Sequence, residues 1–283
     1  MKIEYLNFWD SFYDEPENDF RKFAKVLFEG LLFDEIKVHS VFPGIPMRSI
    51  SSNRVLNVAW SGESYVDDPE KYDVSLIMRP TDIAKKIVCL PLFIVAPYAR
   101  GLWPTLSVPR DPSAVARKHH FCAFVVSNPH GDVRNRFFHR INAYKKVHSC
   151  GGALNNCDGF RAPRDPEQFR SFLSTFKFMV CFENGSSPEY LTEKLHQAWM
   201  GCTVPVYWGA RRALEWLNPK AFLYLPDEAT EADMDALIGR IKELDEDDRK
   251  YAEVFSEPLI RSFPDAWTLD RLRKDIVTVA KTP

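Results

Sequence analysis

The residues best suited to chemistry lie in one stretch of the second half of the chain, residues 176–209. An apolar run there ends in Phe-Glu-Asn at 182–184, and further polar residues follow at Tyr190 and at the adjacent pair Glu193 and Lys194. A lysine brings a full positive charge to a phosphate, and a glutamate accepts hydrogen bonds from sugar hydroxyls. These residue types outline a pocket for a nucleotide sugar. An adjacent Glu-Lys pair is also common on a solvated helix, and spacing alone does not separate the two interpretations.

The same stretch predicts a helix over Pro188–Met200. Ser187 is a suitable N-cap, and Pro188 suits the first helical position. The apolar stripe of this helix comprises Leu191, Leu195, Ala198 and Trp199. Tyr190 and Lys194, four residues apart, would share one face. Because a helix N-terminus attracts phosphate through its free N–H groups and its dipole, this start is a candidate anion site.

A candidate general base lies in the first half of the chain. The apolar run Arg54–Trp60 is followed by Ser-Gly-Glu, so a tight turn presents the Glu63 carboxylate at the end of a predicted strand. Glu63 is also open to interpretation as an ordinary loop glutamate. Rival bases are five scattered histidines without paired metal-ligand spacing: His119, His120, His130, His139 and His148. Four aromatic residues fit either a sugar-stacking or a core-packing role: Trp60, Tyr65, Tyr98 and Trp103.

Alternating strand-like and helix-like runs predict an α/β fold with parallel sheets. In the first half, the predicted strands are Lys2–Phe8, Ile36–Phe42, Arg54–Trp60, Asp73–Met78 and Ile87–Val95, with a helix in Glu17–Phe33. A proline-rich loop is predicted over 97–118. In the second half, the predicted strands are His120–Ser127, Lys146–Cys150, Phe176–Phe182 and Thr203–Trp208, with helices at Asp132–Lys145 and Asp165–Thr175. We therefore expect two Rossmann-like domains facing a cleft, with ligands beyond the carboxyl ends of the strands.

Composition limits the class of protein. The 283 residues are 45% hydrophobic and 27% charged, and 37 Lys and Arg stand against 39 Asp and Glu. This near-balance disfavours a broad nucleic-acid surface. The longest apolar run, 87–99, is too short to span a bilayer, and the start of the chain does not read as a signal peptide. Six cysteines without CxxC spacing favour reduced thiols and a cytoplasmic protein, with a Cys150–Cys157 disulfide left open.

Acidic residues in 231–248 superficially match a metal-binding Asp-x-Asp motif, at 233–235 and 245–247. At helical spacing these carboxylates diverge, so we interpret the stretch as a solvated helix face. The sequence predicts no metal site.

A long motif adds a resemblance to these observations. FENGSSPEYLTEKLHQAWMGCTVPVYWG, at 182–209, closely resembles the donor-binding signature of the family 10 α-1,3/4-fucosyltransferases. Gly185 stands where that family usually has Ser, and Leu191 where it usually has Val. CAFVVSNPHGDVRNRFFHRI, at 122–141, and YAEVFSEPL, at 251–259, are also similar to family motifs. The resemblance covers about half of the chain.

The resemblance implies a two-Rossmann GT-B enzyme that inverts anomeric configuration without a cofactor or a metal, with GDP-fucose as donor substrate. It implies that Arg134 and Lys194 hold the GDP diphosphate, which their charges and donor geometry suit. It implies that the residues contacting donor ribose or fucose hydroxyls are Asn184, Tyr190 and Glu193. Ser127 and Asn128 would line the same pocket, and Glu63 would be the general base.

The expected domains are an acceptor-binding domain at 1–118, a GDP-fucose-binding domain at 119–262, and a tail at 263–283 that packs back across them. The expected acceptor is an N-acetyllactosamine-like oligosaccharide or glycolipid, fucosylated at O3 of N-acetylglucosamine. Linkage, α-1,3 or α-1,4, stays open, as does a peripheral contact of the tail with the inner membrane. The alternatives are a GT-B transferase for another nucleotide sugar and a non-catalytic GDP-sugar-binding protein.

Overall fold

A computed structural model of the protein describes residues 1–40, 54–63 and 69–282. Within these ranges the chain forms two five-stranded sheets in which all strands are parallel. The first sheet comprises β1 (Lys2–Leu6), β2 (Glu35–Ser40), β3 (Val55–Trp60), β4 (Val74–Ile77) and β5 (Ile87–Cys89), in that order. The second comprises β6 (His120–Phe124), β7 (Val147–Ser149), β8 (Phe176–Val180), β9 (Val204–Tyr207) and β10 (Leu223–Tyr224). Its order is β10-β9-β8-β6-β7, with β6 paired to both β7 and β8. The expected α/β class with two Rossmann-like sheets is confirmed.

Helices connect the successive strands of the second sheet, and two helices connect β1 to β2 in the first. Those of the described ranges are α1 (Asp10–Asp14), α2 (Asp19–Phe28), α3 (Val95–Arg100), α4 (Trp103–Leu106), α5 (Asp132–Tyr144), α6 (Pro166–Leu173), α7 (Lys194–Met200), α8 (Ala213–Trp216), α9 (Glu231–Glu246), α10 (Asp248–Ser256) and α11 (Leu269–Ala280). Short 3-10 helices occupy Pro69–Lys71, Leu92–Ile94, Pro112–Arg117 and Asp265–Trp267.

The chain divides into two compact units. The first contains Met1–Trp103, Glu189–Thr192 and the chain from Phe263 onward, and the second contains Pro104–Pro188 and Glu193–Ser262. The boundary expected after residue 118 thus lies inside the second unit.

Arg110 explains this position of the boundary. Its guanidinium lies 4.7 Å from the centroid of the Trp199 ring and 4.1 Å from that of Phe255, and it donates to the carbonyl oxygens of Trp199 and Thr203. These contacts fix the segment after Trp103 to the second unit.

In the first unit, helix α2 buries one apolar face. Asn18 caps the helix by accepting from the Arg21 backbone N–H. The buried positions, all 0% exposed, are Phe23, Ala24, Leu27 and Phe28. This spacing of three and four residues is what an amphipathic helix requires.

The tail packs onto the same helix. Arg273 of α11 donates to the carbonyl oxygens of Val26 and Leu27 at the end of α2. Leu272 and Ile276 of α11 are buried. The apolar residues of α11, which suggested a membrane contact of the tail, therefore pack within the first unit. Among the described helices, none has both the length and the apolar character needed to cross a bilayer.

The second unit is built on aromatic packing. Phe137 of α5 lies 4.8 Å from Phe182, and Phe138 lies 4.9 Å from Phe124 of β6, between ring centroids. Ile141 follows one turn later and is 0% exposed. The helix predicted over Asp132–Lys145 is confirmed, because its apolar spacing matches the face that meets the sheet.

The segment from Ile87 to Arg117 differs from the prediction. A strand was expected over 87–95 and a loop over 97–118, but β5 ends at Cys89 and helices α3 and α4 follow. β5 is the last strand in the order of its sheet, and Pro91 is the N-cap residue of the 3-10 helix Leu92–Ile94 that follows it. Pro97 lies in the first turn of α3, where its missing N–H costs no helical hydrogen bond. The prolines therefore mark helix starts here rather than an irregular loop.

The acidic stretch forms helix α9, but it is not simply a solvated face. Asp233 closes a capping box with Thr230 at the helix start. The Asp245 side chain is 3% exposed, and it pairs with Lys145 at 2.8 Å and accepts from the Tyr144 hydroxyl at 3.1 Å. These carboxylates serve capping and ion pairing.

All six cysteines are free thiols. Burial raises the pKa of the Cys150 thiol to about 12, with a smaller contribution from its hydrogen bond to Cys157. Cys150 is therefore protonated at neutral pH. The reduced state favoured from the sequence is the state described here.

Candidate functional site

The segment before helix α7 differs most from its sequence-based prediction. The helix expected from Pro188 begins only at Lys194, and its N-cap residue Glu193 makes no side-chain capping bond. The preceding residues Glu189–Thr192 belong to the first unit, where the Phe93 N–H donates to the Leu191 carbonyl at 3.1 Å. A tertiary contact has therefore overridden the local capping signal. The anion site predicted at a helix start near Ser187 is absent from this described segment.

Lys194 is held by a buried carboxylate. Its Nζ lies 2.8 Å from Oε2 of Glu183, whose side chain is 0% exposed, and 3.9 Å from Oε1 of Glu193. The Lys194 side chain itself is 23% exposed. A buried charge needs a partner to remain ionised, so the pair fixes the ammonium group at the end of the sheet.

Glu183 is a functional residue that the sequence prediction did not assign. It follows β8, and its backbone N–H donates to the Trp208 carbonyl. Tyr207 donates to its Oε1 at 3.5 Å. Burial and the nearby Glu183 charge raise the pKa of Tyr207 well above its ordinary value, so the phenol stays a neutral donor. The sequence does show a glutamate directly after an apolar strand, which marks Glu183 as a candidate. The sequence does not show that this glutamate is buried.

Gly209 makes room for this pair. Its φ is +154°, and a Cβ there would lie 2.5 Å from Cγ of Glu183 and 2.6 Å from the Tyr207 hydroxyl oxygen. Any side chain at this position would collide with the buried carboxylate. The final glycine of the 182–209 motif is thus required by the packing of Glu183.

Arg134 connects two other predicted site residues. It lies on α5, is 0% exposed, and donates from Nη1 to Oδ1 of Asn184 at 2.9 Å. Its Nη2 donates to the carbonyl oxygens of Asn128 at 2.8 Å and His130 at 3.1 Å. The guanidinium therefore links the loop after β6 to the loop after β8. Direct contact of Arg134 with a diphosphate stays a prediction, since its described partners are protein oxygens.

A cavity of about 640 Å³ opens at the carboxyl end of the second sheet. Its lining includes Ser127, Gly151, Glu193 and Lys194. A Cβ at Gly151 would lie 2.2 Å from the Val126 carbonyl oxygen, so glycine alone permits this close approach of two loops. Ligands of parallel α/β sheets bind at this edge.

Two arginines on the cavity wall were missed from the sequence. Arg161 donates to the Gly151 carbonyl oxygen, and Arg164 is exposed. No described residue forms an ion pair or a hydrogen bond with the Arg164 side chain. With Lys194, the lining carries three cations and one carboxylate, Glu193, which suits an anionic ligand.

Glu63 lies in the first unit on the turn that follows β3. Its backbone N–H donates to Oγ of Ser61 at 3.2 Å, and its side chain is exposed. The hydroxyl of Tyr190, a residue that is 1% exposed, donates to Oε2 of Glu63 at 3.1 Å. Two residues 127 positions apart are thus joined at one carboxylate within this unit.

The predicted site residues form two groups. Ser127, Asn128, Arg134, Asn184, Glu193 and Lys194 lie in the second unit, and Glu63 and Tyr190 lie in the first. The sequence placed Tyr190 and Lys194 on one helical face. That placement is wrong, because only Lys194 is in the helix.

Two of the rival histidines and three of the candidate aromatic residues make packing or backbone contacts. His120 and His148 pack against the Phe176 ring. Trp60 is 3% exposed, and Tyr98 donates to the Trp267 carbonyl at 2.7 Å. Trp103 packs edge-on to the Phe263 ring at 4.7 Å between centroids. Core packing accounts for the three aromatic residues, and Tyr65 lies outside the described residues.

Two parallel α/β units, with a cationic cavity at the carboxyl edge of the second, define a Rossmann-like protein that fits a nucleotide ligand. The fold is that of a crystal structure of α1,3-fucosyltransferase with GDP-fucose, with a TM-score of 0.73, 20% identity, and coverage of 100% of this chain and 90% of that one. The family model described as glycosyltransferase family 10 (fucosyltransferase) C-term matches residues 115–257. The chain belongs to this family.

Curated relatives agree with this assignment. An α-(1,3)-fucosyltransferase of Helicobacter pylori is 34% identical over 140 residues, which are 50% of this chain and 28% of that protein. A 3-galactosyl-N-acetylglucosaminide 4-α-L-fucosyltransferase of Homo sapiens is 31% identical over 186 residues, which are 62% of this chain and 48% of that protein. The chain therefore spans less than half the length of each of these relatives.

Proposed function

We propose that this chain transfers L-fucose from GDP-fucose to a hydroxyl of an oligosaccharide. The observation that carries the proposal is Lys194, an ammonium group fixed by the buried Glu183 on the wall of a cationic cavity. The cavity occupies the sheet edge where parallel α/β folds bind nucleotides. Family membership selects GDP-fucose among possible nucleotide sugars.

On the donor side, positive charge would act mainly on the leaving group. The GDP diphosphate gains charge as the bond to the fucose anomeric carbon breaks. Fixed cations stabilise that developing charge without reorganisation during the reaction. Lys194 and Arg164 lie on the cavity wall and would take this role, and Arg134 would support it by holding Asn184 and Asn128 in position. This set of charges removes the need for a metal ion or other cofactor.

On the acceptor side, Glu63 would act as the general base. Its carboxylate takes the proton of the acceptor hydroxyl while that oxygen attacks the anomeric carbon and GDP departs from the opposite face, which inverts the configuration. Tyr190 donates to Oε2 of Glu63, and no hydrogen bond from a described residue reaches Oε1, which would accept from the acceptor hydroxyl. Tyr190 would therefore orient the base.

The proposed acceptor hydroxyl is O3 of N-acetylglucosamine in an N-acetyllactosamine-like oligosaccharide or glycolipid. The names of the relatives include both a 3-linked and a 4-linked transferase, so the choice of O3 rests on the bacterial relative.

We place the reaction in the cytoplasm, in keeping with the free thiols.

The test is a transfer assay with radiolabelled GDP-fucose and N-acetyllactosamine, followed by methylation analysis of the product. We expect a fucosylated trisaccharide with a new α-1,3 linkage to N-acetylglucosamine. UDP-galactose and GDP-mannose serve as control donors. Transfer from either control donor at a comparable rate would contradict the donor assignment. Tight GDP binding with no transfer to any acceptor would instead identify a non-catalytic binding protein.

A further inference from the structure

A second cavity lies in the first unit, between the chain around α1 and the start of α2. It has a volume of about 750 Å³, and we call it the α1–α2 trough. Trp9, Glu15, Asp19 and Phe20 line it, together with Arg100 of α3. None of these residues belongs to the candidate site described above.

The aromatic wall of the trough has the form of a sugar platform. The Trp9 side chain is 44% exposed, although most tryptophans pack into protein interiors. Its ring lies 6.3 Å from that of Phe20 between centroids, at an interplanar angle of 84°. Two perpendicular rings form a corner, in which the C–H face of a pyranose can pack against one flat ring.

The polar wall supplies hydrogen-bond acceptors for sugar hydroxyls. No described residue pairs with the Glu15 carboxylate, which leaves both oxygens available. Asp19 is oriented by Arg100, whose Nε lies 2.9 Å from each carboxylate oxygen. A planar ion pair of this kind fixes the carboxylate while each oxygen retains a further lone pair.

The loop that carries these groups is held in place. The Asn18 side chain donates to the carbonyl oxygens of Phe12 at 3.3 Å and Glu15 at 2.8 Å, and it also caps α2. The Phe8 and Phe12 rings stack at 4.0 Å beneath the loop. Such support reduces the entropy cost of ordering the trough on binding.

The trough adjoins the turn that carries Glu63. The Phe20 ring lies 5.1 Å from the Trp60 ring between centroids, and a Cβ at Gly62 would lie 4.0 Å from Cζ of Phe20. Phe20 thus forms part of the trough lining and also packs behind the turn. A saccharide chain that presents one hydroxyl to Glu63 could place its next sugar units along the trough.

The charges of the trough select a neutral ligand. Its lining carries three carboxylates, Glu15, Glu17 and Asp19, against two cations, Lys22 and Arg100. Lys25 pairs with Glu17 at 3.4 Å and Arg100 pairs with Asp19 at 2.8 Å, so the charges of the trough nearly balance. Such a wall, which is rich in hydrogen-bond acceptors, favours an uncharged ligand with hydroxyl donors over a phosphate or a sialic acid.

We propose that the α1–α2 trough binds a neutral sugar unit of the acceptor, beyond the disaccharide that contains the reacting hydroxyl. This inference rests on the proposed function and adds a specificity subsite to it. Trp9 and Glu15 are the residues that would contact this sugar unit.

The first experiment measures acceptor kinetics of the full chain. The probes are N-acetyllactosamine, a neutral tetrasaccharide ending in N-acetyllactosamine, and its sialylated form. For Trp9→Ala we expect a roughly tenfold higher KM for the neutral tetrasaccharide, the usual worth of an aromatic contact. We expect less than a twofold change for the disaccharide and for GDP-fucose. Unaltered protein should also prefer the neutral tetrasaccharide to its sialylated form.

Tyr13→Ala is the matched control, because Tyr13 is an exposed aromatic residue of α1, 46% exposed, outside the trough. It should leave the KM for the tetrasaccharide within twofold. An equal rise in KM for all substrates, or the same rise in Tyr13→Ala, would attribute the effect to the stability of α1 and overturn the proposal. So would an unchanged KM in Trp9→Ala.

A second measurement does not require turnover. Saturation-transfer NMR with the neutral tetrasaccharide should show contacts to the sugars beyond the terminal disaccharide, and these contacts should be lost in Trp9→Ala and reduced in Glu15→Gln. If the protein transfers no fucose but these contacts are seen, the proposed function fails and the trough remains a saccharide site. If transfer occurs and the contacts are absent, the trough proposal fails alone.

Discussion

The cationic cavity of the second unit and the Glu63 turn of the first are built in different ways. Lys194 and Arg134 are fixed by partners in the interior, and Glu183 and Arg134 are both 0% exposed. Glu63 is exposed at the end of a turn and is oriented by the Tyr190 hydroxyl and by Ser61. The charges proposed for donor binding are therefore fixed within the protein, whereas the proposed base is oriented by few contacts.

This difference has a chemical reason in the proposed reaction. Charge stabilisation at a diphosphate is effective only when the cations need no reorganisation, which favours burial and multiple partners. A general base must instead reach a hydroxyl of a large and variable acceptor, which favours exposure. The comparison predicts that variants of the donor side lose both binding and stability, and variants of the base lose chemistry alone.

The largest effect is expected for Glu63→Gln. The amide keeps the size of the side chain but cannot accept the acceptor proton, so kcat should fall by about 10²–10⁴-fold, or about 3–5 kcal/mol of barrier. GDP affinity, measured by calorimetry, should change little. Glu29→Gln, at an exposed position of the same unit, is the control and should retain full kcat. Near-native transfer by Glu63→Gln would mean that the base is another residue.

Lys194→Ala should have a smaller effect on ligand binding and a large effect on folding. Loss of one charged hydrogen bond should weaken GDP binding by about 1.5–3 kcal/mol. Leaving Glu183 buried without this partner should lower the free energy of unfolding by about 3–5 kcal/mol. Calorimetry with GDP and urea unfolding measure the two quantities.

Two variants separate these effects. Lys220→Ala, an exposed lysine of the same unit, should change neither quantity. The double variant Glu183→Gln with Lys194→Met should recover stability without recovering GDP affinity. If it recovered both, the lysine would be structural and the diphosphate would be held elsewhere.

Tyr190→Phe tests how the base is oriented. Removal of the hydroxyl that bonds Glu63 should lower kcat about tenfold, the usual worth of a hydrogen bond to a charged group, with donor affinity retained. In a Glu63→Gln background the same substitution should have little further effect, because Tyr190 would act through Glu63. Additive losses in the double variant would show an independent role, such as the donor contact inferred from the family motif.

The smallest change is expected on metal removal. Because Lys194 and Arg164 would provide the positive charge at the diphosphate, transfer in excess EDTA should match the untreated rate within about twofold. Complete loss of activity that Mn²⁺ restores would contradict the assigned donor charges.

The two regions also differ in how far the sequence predicted them. The α5 helix and the strands of the second sheet were predicted because their periodicity reflects burial against one sheet. Arg134 and Asn184 are 50 positions apart and form a hydrogen bond. The family motif assigned both residues to one donor pocket, which their spacing could not do, but it did not predict this contact. Family resemblance therefore supplied what local pattern could not.

Misses arose where tertiary contacts opposed local signals. Ser187 and Pro188 form a good helix start, yet the following residues form a turn and irregular chain that contacts Phe93 and Glu63. Glu183 reads as a polar residue at a strand end, and only the three-dimensional structure shows that it is a buried counter-ion. Residues 231–248 are rich in acidic residues and were predicted to be solvated, yet the Asp245 side chain among them is buried.

The assignment of Glu189–Thr192 to the first unit has a consequence for protein engineering. An exchange of acceptor specificity between family members is naturally attempted by swapping residues 1–103 alone. In such a chimaera, Tyr190, Leu191 and α11 would still come from the recipient protein. They would have to pack against residues 1–103 of the donor protein, although they belong to the same unit. A transplantable acceptor module must instead carry three separate pieces of chain: Met1–Trp103, Glu189–Thr192 and the chain from Phe263 onward.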